Sequence, residues 1–343
     1  MEELTNTTIN EIPIEENSVD ENPVDANPVD ENSADVSPVD ENSWGLVLSG
    51  GGGKGAYQVG VWRALCELGW DTRIKAISGA SVGALNAVLL SSVSEPHAEV
   101  IWKSITPLQF LDIDLPLQGD GIFSREGLTQ LIQANLDLSR IKDNPVDLYA
   151  DTSQLEEDGH YITRYYHLNE KNAMEIQQIL LASSAIPVAY PSVMIDGRPQ
   201  RDGGYTTPYP VKPLRDLGLK KILVVAISLT DFDPRFYPDL DFTVIKPSRD
   251  IGYLLDGTLD FSAKGAQFRM ELGYYDALRT LRAYESGELG DPQYAKAHAI
   301  NAETDYQQIQ VEMRKQQLSQ NVDEHKNKLD EILKKYGIKD LDL

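Results

Sequence analysis

From Trp44 onward, short apolar runs alternate with stretches whose apolar positions recur every three or four residues. The runs Leu46–Ser49, Ile74–Ser78, Val146–Asp151, Tyr161–His167 and Ile222–Ser228 are too short for helices and read as strands. Helical spacing marks Ala56–Leu68, Val82–Ser92, Ala98–Ile105, Ala173–Ala185 and Ser262–Tyr284. Strands alternating with helices predict an α/β fold, a mainly parallel central sheet flanked by helices on both faces. Near the C-terminus Val311, Leu318, Val322, Leu329, Ile332 and Tyr336 form a further stripe, with Gly337 as its expected C-cap. Lys315 and His325 interrupt the stripe. That makes a weak coiled-coil seam, so this helix is expected to pack on its own domain.

Before Trp44 the pattern is different. Residues 18–42 repeat a five-residue unit, as in Pro28-Val29-Asp30-Glu31-Asn32 and Pro38-Val39-Asp40-Glu41-Asn42. A period of five suits neither helix nor strand, and recurrent proline with like charge prevents a packed core. The reading is a disordered acidic tail over 1–43, taken as a solvated spacer in preference to a partner-binding or translocation tail. A main domain over 44–300 and a helical extension over 301–343 follow.

Charge refines this picture. The chain carries 31 basic and 54 acidic side chains, a formal charge of −23. Residues 1–43 hold 13 of the acids and no Lys or Arg, leaving an ordinary acidic remainder. Such a surface argues against nucleic acid as a partner and against purely electrostatic docking on anionic lipid. Cys66 is the only cysteine, so no intrachain disulfide forms. No secretory signal is visible, and no apolar run approaches the roughly 18 residues of a membrane span. The expected location is cytoplasmic, which is compatible with peripheral membrane association or export without a signal. Leu115, Leu117, Ile122 and Phe123 in the 112–123 loop are assigned to the core ahead of lipid contact.

Three constellations carry candidate chemistry. The first is Ser49-Gly50-Gly51-Gly52-Gly53-Lys54-Gly55, a glycine loop between a strand and a helix. Such a loop aims backbone N–H groups at an anion. It fails as a Walker A motif, because Gly55 follows the lysine where Ser or Thr is needed. It matches a dinucleotide fingerprint formally, but the second strand ends in Ser78-Gly79-Ala80-Ser81 without the acidic residue a ribose requires. As an oxyanion hole it fits, lying one βαβ step before the second constellation.

That second constellation is Gly79-Ala80-Ser81-Val82-Gly83, a G-x-S-x-G nucleophile elbow between a strand and a helix. The sharp turn demands small neighbours on either side of Ser81. The third is Asp202-Gly203-Gly204, which alone reads equally well as a turn. None of the five histidines (His97, His160, His167, His298 and His325) sits in a glycine-bounded loop after a strand. A Ser–Asp pair without histidine is chemically workable: the carboxylate takes the serine proton and returns it to the leaving alcohol. Because a carboxylate is a weak base, oxyanion donors must supply about 3–4 kcal/mol each.

These three motifs, in this order, resemble the patatin-like phospholipases, whose pattern is G-G-G-x-[RK]-G, G-x-S-x-G and D-G-[GA]. The connecting block Ala182-Ser183-Ser184-Ala185-Ile186-Pro187, Tyr190-Pro191 and Ile195-Asp196-Gly197 is similar too, so the resemblance covers about 44–230. Lys246-Pro247-Ser248-Arg249-Asp250-Ile251-Gly252 and Leu259-Asp260-Phe261-Ser262 are similar to some bacterial members. Pro208 departs from the pattern, standing where members often carry Asn.

The resemblance implies a patatin-like three-layer sandwich and a catalytic domain over 44–300. It implies a Ser81–Asp202 dyad with Ser81 acylated and then hydrolysed. It also implies an oxyanion hole from the N–H groups of Gly51 and Gly52, with Gly50 and Gly53 shaping the loop. Two roles fit Lys54 equally: holding an anionic head group, or packing and ordering the loop. No metal or organic cofactor is implied. The expected function is a lipid acyl hydrolase of phospholipase A or lysophospholipase type, with phospholipid or another acyl ester as partner and transient membrane contact open. The alternatives are a small-ester or thioester hydrolase on the same site, and a catalytically silent interaction protein. Oligomeric state, head group and acyl position are not specified by the residues.

Overall fold

The computed structural model describes residues 40, 42–106, 109, 125–187 and 190–336. Most of the predicted tail, the 112–123 loop and Gly337 lie outside the described residues.

Strand β1 (Trp44–Leu48) runs at the centre of an eight-stranded mixed sheet. It pairs in parallel with β2 (Ile74–Gly79) on one side and β7 (Lys221–Val225) on the other. β3 (Asp147–Leu155) extends the parallel set beyond β2, and β8 (Asp241–Ile245) extends it beyond β7. β4 (Tyr161–His167) and β6 (Arg198–Asp202) both pair antiparallel with β3, and β5 (Val193–Ile195) pairs antiparallel with β6.

The uninterrupted apolar runs follow from burial on both faces. Along β1 and β7, Leu46, Leu48, Leu223 and Val225 enter one core cluster, while Val47, Ile222 and Val224 enter the other. The larger cluster lies under α1 (Ala56–Glu67), α2 (Val82–Ser92), α3 (Glu95–Ser104), α4 (Arg125–Asn135), α5 (Ala173–Ser183) and α7 (Ala263–Ser286). The smaller one lies under the short helix α6 (Lys212–Asp216) with Tyr209, Leu219 and Phe232. This is the three-layer α/β sandwich the periodicity predicts, with one outer layer much thinner than the other.

Helices α1 and α7 meet backbone to backbone. A Cβ on Gly60 would lie 1.8 Å from the Met270 carbonyl oxygen, and one on Gly273 would lie 2.2 Å from that of Tyr57. The Tyr57 hydroxyl donates across this contact to Asp276 at 2.9 Å.

The C-terminal helix α8 (Pro292–Tyr336) corrects one expectation. The first three positions of the stripe assigned to packing are exposed: Val311 by 52%, Leu318 by 59% and Val322 by 65%. The packed face is offset from it and shorter. Ala302 and Ile309 are buried, Met313 packs against the core, and Tyr306 meets Phe268 of α7 edge to face.

Candidate active site

Ser81 stands at the turn from β2 into α2 with φ +54° and ψ −125°. A non-glycine residue held there stores roughly 1–3 kcal/mol of strain. The local sequence permits it because both flanking glycines are packed to contact. A Cβ on Gly79 would lie 2.3 Å from the Gly83 carbonyl, and one on Gly83 would lie 2.0 Å from the Leu48 carbonyl oxygen. The Ser81 N–H donates to Ser183 Oγ at 3.0 Å, tying the turn to the end of α5.

The Ser81 hydroxyl donates to Asp202 Oδ2 at 2.6 Å. Asp202 ends β6, and its Oδ1 accepts the Gly204 N–H at 2.9 Å within the turn that the two glycines allow. Burial pushes the Asp202 carboxyl up to about 7, against the opposing pull of the bonds from Ser81 and Gly204. A carboxylate in that range is matched to taking a proton near neutral pH. Behind it Asp151 is fully buried, and neither of its carboxyl oxygens has a hydrogen-bond partner.

The glycine loop reaches the same place. Gly50 lies against Ser81, its absent Cβ only 3.2 Å from that of the serine. Gly52 lines the cleft that Ser81 opens into. A short 3-10 turn runs from Gly52 to Gly55, so the N–H groups of Gly51 and Gly52 precede its first internal bond. Gly52 has φ +56°, and Cβ atoms on Gly52 and Gly53 would lie 2.3 Å and 2.2 Å from the carbonyl oxygens of Thr258 and Asp260. The 251–260 segment therefore braces the loop from outside.

Arg269 of α7 holds that brace. It is 3% exposed and donates to the carbonyls of Ile251 (3.2 Å), Asp256 (2.7 Å) and Asp260 (2.9 Å), to Asp260 Oδ2 (2.9 Å) and, at 3.5 Å, to the Gly53 carbonyl. Beneath the loop, Asn86 donates to the Gly55 carbonyl (3.0 Å) and to Gln58 (2.8 Å), and Gln58 donates to the Ser49 carbonyl (2.7 Å). Lys54 is 2% exposed, with its Cε against Gly51. Burial first, then Arg269, lowers its pKa, partly offset by Asp250.

Ser81 opens into a cleft of about 790 Å³, its open mouth included. The walls are almost wholly apolar: Val82, Leu85 and Leu89 from α2, Ile101 and Trp102 from α3, and Leu128, Leu131 and Ile132 from α4. Three of the five histidines are engaged elsewhere. His160 pairs with Asp158, His167 bonds Asp147 and Glu170, and His298 packs on Tyr294.

The structure thus brings together Ser81, Asp202, Gly50, Gly51, Gly52, Gly53 and Lys54. Sequence reading alone missed Ser183, Asn86, Gln58, Asp151 and Arg269. Ser183 lay in a block singled out only by resemblance. Arg269 sits in a helix where a lone arginine reads as surface.

Residues 46–215 match the family model described as patatin-like phospholipase. Over 197 residues the chain is 28% identical to Neuropathy target esterase sws of Drosophila melanogaster, covering 54% of this chain and 13% of the fly protein. It is 27% identical over 201 residues to Lysophospholipase nte1 of Aspergillus terreus, covering 57% of this chain and 12% of the fungal one. The chain therefore spans only a small fraction of the length of these relatives. The crystal structure of VipD from Legionella pneumophila aligns at 15% identity with a TM-score of 0.45, over 71% of this chain and 67% of that one.

Proposed function

We propose that this chain, which over residues 46–215 belongs to the patatin-like phospholipase family, is a serine-dependent lipid acyl hydrolase acting on single-chain phospholipids or related acyl esters. The observation that carries this reading is the 2.6 Å bond from the Ser81 hydroxyl to a buried carboxylate at the head of an apolar cleft.

In this mechanism the acyl chain lies in the cleft and presents its ester carbonyl to Ser81. Ser81 Oγ attacks while its proton passes to Asp202 Oδ2. The tetrahedral oxyanion is received by the N–H groups of Gly51 and Gly52, with the start of α2 adding its dipole. Collapse breaks the ester C–O bond, and Asp202 returns the proton to the leaving alcohol. Water then attacks the acyl-Ser81 carbonyl with Asp202 again as base, releasing the fatty acid and restoring Ser81. Gly50 and Gly53 shape the loop. Lys54, 2% exposed with its Cε against Gly51, fits the role of packing and ordering the loop better than that of holding an anionic head group.

The test is hydrolysis of lysophospholipid by the purified full chain and by its Ser81→Ala and Asp202→Asn variants. Both variants are expected to lose activity by about three orders of magnitude or more. Full activity in either folded variant would remove the dyad. The depth of apolar wall favours long acyl chains over the small-ester alternative, which a preference for short soluble esters would restore.

A further inference from the structure

We propose that Asp151 is a positioning residue for Asp202, standing un-ionised behind Gly203 in the working enzyme. This rests on the hydrolase reading above. Asp151 lies on β3 beside Thr152, which pairs directly with Asp202. A Cβ on Gly203 would lie 2.3 Å from Asp151 Oδ1 and 2.6 Å from its Cγ. The Asp151 carboxyl therefore fills the space a side chain at 203 would need. The glycine after the catalytic-position aspartate is bare because a second carboxyl occupies its side-chain site.

Two neighbouring buried carboxyls resist carrying a negative charge each. Donors decide which one is charged. Asp202 has two, the Ser81 hydroxyl and the Gly204 N–H. Asp151 has none on either oxygen and no exposure to water. Ionising it would leave a charge in a dry site without compensation. Burial, then the charge on Asp202, hold its carboxyl well above the ordinary range, against a smaller pull from its own backbone N–H.

The other groups on its side of the sheet do not relieve it. Tyr165 stands opposite on β4, and Tyr149 stacks on His167, which bonds Asp147 and Glu170. Arg201 lies over the Tyr161 ring. In the layer covering this face, Tyr209 donates to the Thr230 carbonyl, Lys212 pairs with Asp216, and Arg215 pairs with Asp239. Ser78, on the same face of β2, also has an unbonded hydroxyl. As a neutral acid, Asp151 buttresses the Asp202–Gly204 turn without repelling the base.

The experiment uses the full chain with Asp151→Asn, a permanently neutral isostere, and Asp151→Ala, which removes the buttress. Infrared difference spectra at about pH 8.5, where Asp202 is largely ionised, should show an un-ionised carboxylic carbonyl band in the parent that Asp151→Asn lacks. On lysophospholipid, Asp151→Asn should stay within about threefold of the parent kcat, while Asp151→Ala loses about tenfold or more in kcat with KM changed less than threefold. Absence of that band overturns the proposal. So does an asparagine variant that folds yet falls as far in kcat as a folded alanine variant, or an alanine variant with parental kcat. If the alanine variant does not fold, the band and the asparagine rate decide between them. The spectrum needs no substrate, so its result stands apart from failure of the hydrolase reading, which the Ser81→Ala control reports.

Discussion

Ser183 Oγ accepts the backbone N–H of Ser81 at 3.0 Å, so the strained turn of the nucleophile is pinned from the end of α5. Both residues are buried, and the bond joins positions 102 residues apart. Ser183→Ala leaves that N–H unsatisfied, at a cost of about 1–3 kcal/mol. Part of the cost falls on the turn itself, so kcat is expected to drop about tenfold with KM little changed. Steady-state kinetics beside a urea midpoint tests this. A parental kcat in a destabilised variant would mean that the bond serves the fold alone.

Arg269 is expected to matter more than its distance from the reacting atoms suggests. Its guanidinium serves the 251–260 segment through four bonds and meets the Gly53 carbonyl at 3.5 Å. Arg269→Lys keeps the charge but cannot reproduce the fork. Loosening the brace frees Gly52 and Gly53 from Thr258 and Asp260, which they touch with no room to spare. The expected outcome is a kcat loss of about tenfold to a hundredfold, within what oxyanion donors supply. Faster amide exchange over residues 251–260 should accompany it. Unchanged exchange with unchanged kcat would remove the brace from the mechanism.

How much of this is legible in the sequence follows from where the signals are local. The elbow announces itself because Gly79 and Gly83 are forced by contacts within five residues of Ser81 and by the adjacent β1. The strands at β1, β2 and β7 show as apolar runs because both faces are buried. Helix α4 is not among the elements read from the sequence, although Leu128, Leu131 and Ile132 recur at helical spacing, because Gly127 in its first turn weakens the helical pattern. β8 was missed because its run Asp241–Ile245 begins with an exposed aspartate at the sheet edge. Asp151 and Arg269 were beyond reach. Their meaning lies in which backbone they touch, at separations of 52 residues from Gly203 and 216 from Gly53, and no local pattern encodes that.

The pH dependence follows from Asp202. The base must be ionised to take the Ser81 proton, and burial sets its pKa at about 7. Activity is therefore expected to rise with pH through about 7 and to be lost below it. Stability runs the other way. A carboxyl whose folded pKa is raised stabilises the fold fully below its unfolded pKa, and that contribution is lost as pH rises through about 7. Asp202→Asn should therefore match the parent near pH 4 yet exceed it by on the order of 2–4 kcal/mol near pH 8.5. Urea unfolding at both values checks this. An Asn variant no more stable than the parent at the higher pH would show that the carboxylate is well solvated and titrates normally.

Acyl-chain length should be set by the far wall of the cleft. Ile132 and Leu131 of α4 line the same apolar space as Leu85 and Leu89 of α2 and as Ser81. Ile132 is 3% exposed and belongs to the main core, so a larger side chain there must project into the cleft or displace α4. Overpacking of this kind costs about 1–3 kcal/mol, which the domain can absorb with its fold intact. Ile132→Phe is therefore expected to shorten the usable depth. Each methylene that no longer fits forfeits about 0.8 kcal/mol of burial, so three lost methylenes reduce kcat/KM for the longest chains by roughly fiftyfold. Short-chain esters, which end before Ile132, should be hydrolysed at the parental rate. A chain-length series with both proteins measures the difference directly. A uniform loss across all lengths would instead mean that the substitution disturbs Ser81 through α2, and that the acyl chain lies elsewhere.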